Sequence, residues 1–181
     1  MQQTHASSAY SYPLLIKQLW HTPMSSYQDQ EIVSGLDRRF SYRQLRERIG
    51  RLASGLESIG VKQGHTVAVM DWDNHRYLEC FFGVPMMAAV LHTINIRLSA
   101  EQILFTINHA EDDFILLHAD FVPIIEQIRD RIETSPQFIF LRDDAQTSLP
   151  DFCEYEYESM LQQADADYQF QDFDENTVAT T

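Results

Sequence analysis

Apolar residues recur at Leu45, Ile49, Leu52, Leu56 and Ile59, with mostly polar side chains between them. Spacings of three and four residues place them on one stripe of a helix. Ser41 followed by Gln44 supplies a capping-box start, and Gly60 stands where a left-handed residue closes a helix. The pattern then changes. "TVAVM" at 66–70 is a short continuous apolar run and reads as a buried strand. Asp73 or Asn74 can cap a helix from His75 to about Met87, which Pro85 should end or kink. Val90 to Thr93 is a second strand. Ser99 with Gln102 makes another capping box, and Ile103, Leu104 and Ile107 give that helix its apolar face. "FILLHA" is a strand, "DFVPIIEQIRDRI" a helix and "QFIFL" a further strand. An acidic stretch with one helix, "YESMLQQA", leads to "NTVATT", whose β-branched residues read as a strand beginning.

Strands alternate with helices from Thr66 to Leu141 across short connections. That order predicts an α/β fold, a mainly parallel sheet with helices on both faces and right-handed crossovers. In such sheets polar groups gather at the carboxyl ends of strands, where ligands usually sit. Asp71 to Asn74, His92 to Arg97, and His118 with Asp120 are all read at such ends.

Upstream, "QEIVSGLDRRFSY" predicts a hairpin: Glu31–Val33, a turn from Gly35 to Asp37, then a second strand from Arg39 and Phe40. In "YPLLIKQLWHTPM", Leu14, Leu15, Leu19 and Trp20 have near-helical spacing, with Pro13 suiting a first turn and Pro23 a stop. This segment either packs on its own chain or is an arm that reaches a second subunit. The first eleven residues, small and polar, read as a loose terminus. The chain divides into an arm, 1–24, and a partial α/β domain, 25–181.

Composition narrows the function classes. The chain has 181 residues, 44% of them hydrophobic, enough for a real core. A formal charge of −14 argues against binding nucleic acid or anionic membrane by charge. From Glu111 onward the only Lys or Arg residues are Arg129, Arg131 and Arg142, which reads as a solvated acidic face rather than a metal site. Cys80 and Cys153 do not make a disulfide framework and are expected as free thiols, Cys80 buried and Cys153 exposed. No secretory leader pattern opens the chain, and its longest apolar stretch is too short to span a bilayer, so a cytoplasmic protein is expected.

No G-x-G-x-x-G follows a strand; Gly55, Gly60 and Gly64 lie in and just after a helix. No G-x-x-x-x-G-K-[ST] loop and no G-x-S-x-G elbow occurs. The histidines show no H-x-x-x-H pair. His109, with Glu111, Asp112 and Asp113 nearby, reads as a surface histidine complementing a helix end. His92 reads as a buried histidine satisfied by a backbone carbonyl. A receiver-like module would need a lysine partner for its phosphoacceptor; the lysines are Lys17 and Lys62, and Lys62 falls at the wrong end of the sheet. From the residues alone the chain is an α/β domain with no complete active site.

Longer motifs add to this reading. "FSYRQL", "GVKQGHTVAVM" and "MMAAVLHTINIRLSAEQI", in that order and spacing, resemble the N-terminal core of the adenylate-forming enzymes, and among them the fatty-acyl-CoA synthetases. The last carries Asn95, Arg97 and Leu98 where related synthetases have an asparagine, an arginine and a leucine. The resemblance implies a parent enzyme that couples a fatty acid to ATP, releases pyrophosphate and transfers the acyl group to coenzyme A, with Mg as the metal. The family's phosphate loop, rich in Ser, Thr and Gly and holding a lysine, does not occur within the 181 residues. Nor do its later ribose, adenine and catalytic-lysine residues.

No catalytic, cofactor-binding or metal-binding residue is therefore assigned, and the chain alone is expected to be inactive and to bind no cofactor. His92, Asn95 and Arg97 are expected to brace the loop beneath the substrate tunnel. "NTVATT" resembles the strand that feeds the phosphate loop. The reading frame is expected to run on within about ten residues into a loop with glycines and a lysine. The final residues are expected to be frayed or paired with another molecule's edge. Related synthetases also exchange an N-terminal segment between subunits, which makes residues 10–24 a candidate homodimer arm. The rival reading is a free-standing, non-catalytic α/β interaction domain.

Overall fold

The structure is a computed structural model that describes residues 8–9, 12–36 and 38–181. Most of residues 1–11, and Asp37 in the predicted hairpin turn, lie outside the described residues. The hairpin itself forms as β1 (Glu31–Ser34) and β2 (Arg38–Ser41), paired antiparallel. Gly35 supplies the positive φ of +66° that its turn requires.

Five parallel strands make the main sheet: β3 (Thr66–Met70), β4 (Val90–Thr93), β5 (Phe114–His118), β6 (Gln137–Leu141) and the two-residue β7 (Tyr155–Glu156). Their spatial order is β4-β3-β5-β6-β7. The chain first steps one way from β3 to β4, then crosses back to β5 on the other side. The order therefore reverses between β3 and β5, and the carboxyl ends of these two strands form the switch point.

Period-two alternation sorts the strand side chains between two cores. Val67, Val69, Leu116, Ile139 and Leu141 face α2 (Tyr42–Ser58), α3 (His75–Met86) and α6 (Tyr157–Gln163). Ala68, Met70, Ile115, Leu117, Phe138 and Phe140 face α4 (Ala100–Ala110) and α5 (Val122–Ile128). The connecting helix changes face when the strand order reverses, as a single crossover handedness demands.

The capping signals act where the sequence places them. Ser41 and Gln44 bond reciprocally at the start of α2, and Ser99 and Gln102 do so at α4. Gly60 follows α2 with φ of +103°. Asn74 starts α3 by accepting from the backbone N–H groups of Arg76 and Tyr77, and α3 ends one residue beyond Pro85.

Four expectations are corrected. Pro23 does not stop a helix: it lies in the first turn of α1 (His21–Ser26), where a missing N–H costs nothing, and a short 3₁₀ turn over Ile16–Trp20 precedes it. Cys153 is 5% exposed, packed with Phe138 beneath the sheet although its neighbours in sequence are acidic; both thiols are free. The last residues pair with their own β4, Leu91 N–H donating to the Ala179 carbonyl (2.9 Å) and Thr181 N–H to the Leu91 carbonyl (3.0 Å). His92 is discussed below.

The described part of the arm rests on its own chain. Trp20 is buried among Leu45, Ile49 and Ala53 of α2, Met86 of α3 and Phe170. Residues 170–175 fasten it from outside: Lys17 Nζ donates to the Phe170 carbonyl and pairs with Asp172, both at 2.6 Å.

Gly50, buried in α2, lets the chain at Ala166 approach closely. A Cβ at residue 50 would overlap the Ala166 carbonyl oxygen, a backbone atom that cannot rotate away. In an open helix Gly→Ala gains about 1 kcal/mol. Here Gly50→Ala is expected to lose about 1–3 kcal/mol by overpacking, read as a lowered urea midpoint. A stabilised variant would show that this contact does not form.

Candidate functional site

Polar groups meet where β3, β5 and β6 end. Asp71, 2% exposed, follows β3 and accepts from the Trp72 backbone N–H (2.7 Å), Asn74 Nδ2 (2.9 Å) and Arg76 Nε (3.2 Å). Arg76, 1% exposed in the first turn of α3, also donates to Asp143 (2.9 Å) and to the Arg142 carbonyl (3.1 Å), both just past β6. Burial alone would raise the Asp143 carboxyl. Arg76 and His118 more than offset this and hold it below its ordinary value.

His118, at the end of β5, accepts the Asp120 backbone N–H at Nδ1 (3.2 Å). A neutral ring in that arrangement carries its proton on Nε2, which faces Asp143 Oδ2 at 3.4 Å without a well-formed bond. Trp72 closes the mouth. Its indole N–H donates to Asp120 (2.8 Å), and its ring leans on Phe121 with centroids 5.1 Å apart. The switch-point crevice is thus occupied by the protein's own groups. Two of the three predicted strand-end clusters, 71–74 and 118–120, come together here.

The third divides. His92 points under the sheet and bonds the Asp112 carboxylate through Nδ1 (2.9 Å), not a backbone carbonyl. Asp112 is fully buried just before β5, so a carboxylate was the nearer acceptor; burial raises its pKa and the His92 hydrogen bond opposes that. The pair pins the end of α4 against the sheet. Asn95 and Arg97 are exposed on the following loop, where Asn95 Oδ1 accepts the Arg97 backbone N–H (3.0 Å). His109 is exposed and stacks on Phe105.

A second ionic group, which sequence reasoning missed, joins three helices. Arg48 of α2 donates to Glu79 of α3 (2.6 and 3.2 Å) and to Glu158 of α6 (2.8 and 2.9 Å). Tyr157 O–H donates to Glu79 at 2.6 Å. Burial acts to lower the Arg48 guanidinium, and its two carboxylates raise it well above the ordinary value. Beside it, Arg38 donates to His75 Nε2 (2.9 Å), and Phe40 stacks on the imidazole. Burial and then the charges of Arg38, Arg48 and Arg76 push His75 down to about 3. The available signal was an Arg and a Glu at 76 and 79, on the same turns as buried Cys80, Gly83 and Val84.

Among the described residues no three His, Cys, Asp or Glu side chains gather as a metal group, and no helix is long and apolar enough to cross a membrane. The arrangement can hold strand ends and helix starts in fixed register. It brings together no nucleophile with a base and no glycine-rich cradle for phosphate.

The architecture is that of the adenylate-forming enzymes. A solved anthranilate CoA ligase in complex with anthranoyl-AMP superposes with a TM-score of 0.80 at 16% identity, over 90% of this chain and 30% of that one. Residues 20–179 match the family described as AMP-binding enzyme, and the chain belongs to that family. The long-chain-fatty-acid–CoA ligase of Thermus thermophilus is 38% identical over 120 residues, 64% of this chain and 22% of that protein. The 3-methylmercaptopropionyl-CoA ligase of Ruegeria lacuscaerulensis is 30% identical over 175 residues, 93% of this chain and 32% of that protein. The chain therefore spans between a fifth and a third of the length of these relatives.

Proposed function

We propose that these 181 residues serve as part of an AMP-forming fatty-acid–CoA ligase, whose activity needs family segments that they do not contain. Such an enzyme activates a fatty acid with ATP and Mg to an acyl-adenylate and passes the acyl group to coenzyme A, here in the cytoplasm. The observation that carries the reading is the family match over 20–179, together with relatives that are acyl-CoA ligases. The chemistry requires charge on the α-phosphate to be neutralised while a carboxylate attacks in line. The described residues offer no assembled group for that task. Their part is to fix the strand ends and the 95–98 loop on which the rest of the site would be built.

The test is pyrophosphate exchange with ATP, run with butyrate, octanoate and palmitate. The 181-residue chain is expected to stay at the blank. The full-length gene product that contains these residues is expected to exchange with at least one of these acids. Exchange by the 181 residues alone would overturn the division of labour, and a silent full-length protein would overturn the ligase reading. The arm at 1–24 is proposed to mediate a homodimer, supported by Leu14 and Leu19, which stay 78% and 65% exposed on its outer side. Light scattering of the intact chain at monomer mass would exclude it.

A further inference from the structure

A cleft of about 750 Å³ lies between the arm, α2 and the chain near residue 170, away from the switch-point crevice. Its walls include Trp20, Tyr168 and Phe170, and its polar lining includes Lys17, His21 and Arg46. No lining residue is acidic among the described residues, in a chain with 27 Asp and Glu residues.

Two donors at its walls have no protein acceptor among the described residues. Trp20 is 5% exposed, and its indole N–H, screened from solvent, meets no acceptor. Buried indole N–H groups usually find one. Arg46 lies half-buried with its guanidinium carbon 5.0 Å from the Phe170 ring centroid, and it makes no hydrogen bond or ion pair with any described residue. A guanidinium carries five donors in a fork that matches a carboxylate. Lys17 is already taken by the Phe170 carbonyl and Asp172. A guanidinium beside aromatic walls suits an anionic group carried on an apolar body.

We propose that this cleft binds a small organic carboxylate with a flat or short apolar body, its acid group on the Arg46 guanidinium and its body against Phe170 and Tyr168, beside the wall that Trp20 forms. The volume is that of ordinary small-molecule sites. Burial holds the Arg46 guanidinium below its ordinary value, with Asp167 opposing, and a bound anion would reverse that cost. The site does not depend on the ligase reading, because none of its residues belongs to the strand-end groups.

The test is titration of the 181-residue chain with benzoate, followed by calorimetry and by the two indole N–H resonances in nitrogen-labelled protein, assigned with Trp72→Phe. Saturable binding that moves the Trp20 resonance and leaves Trp72, bonded to Asp120, unmoved is expected. Arg46→Gln should weaken binding about tenfold or more, the loss of one charge-assisted pair. Arg46→Lys, which keeps charge without the fork, should weaken it less. Arg39→Gln, an exposed arginine paired with Glu31, should change nothing. Melting curves of each variant establish that it is folded. The proposal is overturned if benzoate binding does not saturate, if both Arg46 variants bind as the parent does, or if inorganic phosphate binds as tightly as benzoate. No turnover enters the readout, so failure here leaves the ligase assignment untouched.

Discussion

Glu79→Ala is expected to cost about 3–5 kcal/mol of folding stability, the loss typical of breaking a buried ion pair by removing one partner. Glu79 has no solvent exposure, and its carboxylate receives Arg48 and Tyr157 at once. Burial raises its pKa, and the hydrogen bonds from Arg48 and Tyr157 oppose that shift. With an alanine there, the Tyr157 hydroxyl is orphaned inside the core and Arg48 keeps only Glu158, which is partly wet. Three helices lose their common fastening together. Tyr157→Phe should cost less, about 2 kcal/mol, because the carboxylate keeps Arg48. Glu31→Ala, which removes an exposed partner of Arg39, should cost under roughly 1 kcal/mol. Urea unfolding of the three variants separates these values. A Glu79→Ala loss as small as that of Glu31→Ala would show that the network carries no structural weight.

The second large effect is acid lability through His75. Its pKa falls to about 3 in the folded protein, because it is buried and faces Arg38, Arg48 and Arg76, with only Asp143 opposing. It also opens α3, where the helix dipole disfavours an imidazolium. An unfolded histidine titrates near about 6.5. Between these values the unfolded chain holds the extra proton, so stability rises with pH across the window and is lost as pH falls through it. Each pH unit is worth about 1.4 kcal/mol, or about 3 kcal/mol between pH 6.5 and about pH 4.5. His75→Gln keeps an acceptor for Arg38 and cannot titrate. Its stability, measured by urea unfolding at stepped pH, should fall less steeply with acid than the parent's by close to one proton. Parallel slopes would mean that His75 takes up its proton in the folded state.

The sequence showed local features and hid distant ones. Both capping boxes, the α2 stripe and Gly60 are readable because each is decided within a few residues, and the strands from β3 to β6 because each is a compact apolar run. The partners of Arg48 lie 31 and 110 positions away, and those of Arg76 at Asp143 and the Arg142 carbonyl lie across the sheet. No spacing rule reaches so far. Composition also misled at Cys153, whose acidic neighbours point outward while the thiol packs inward. His92 was legible as a buried histidine needing a partner, but the choice between a carbonyl and Asp112 depends on how α4 folds back. For the site, the sequence placed 71–74, 92–97 and 118–120 alike at strand ends, and only the strand order shows that the first and last meet. Nor could the sequence anticipate that Trp72 would fill the space between them.

The short pairing of residues 179–181 with β4 bears on solubility. An open sheet offers unpaired backbone groups along both outer strands, and such borders recruit other chains. One border here is β7, only two residues long and carrying Glu156. At the other, the peptide groups of Leu91 are already taken by Ala179 and Thr181, and the Thr180 hydroxyl adds a bond to the Leu91 carbonyl (2.8 Å). Neither border presents a long, flat template for fibril growth. A chain that folds slowly around a parallel sheet is thereby shielded, once folded, from the self-association that its apolar strands would otherwise invite.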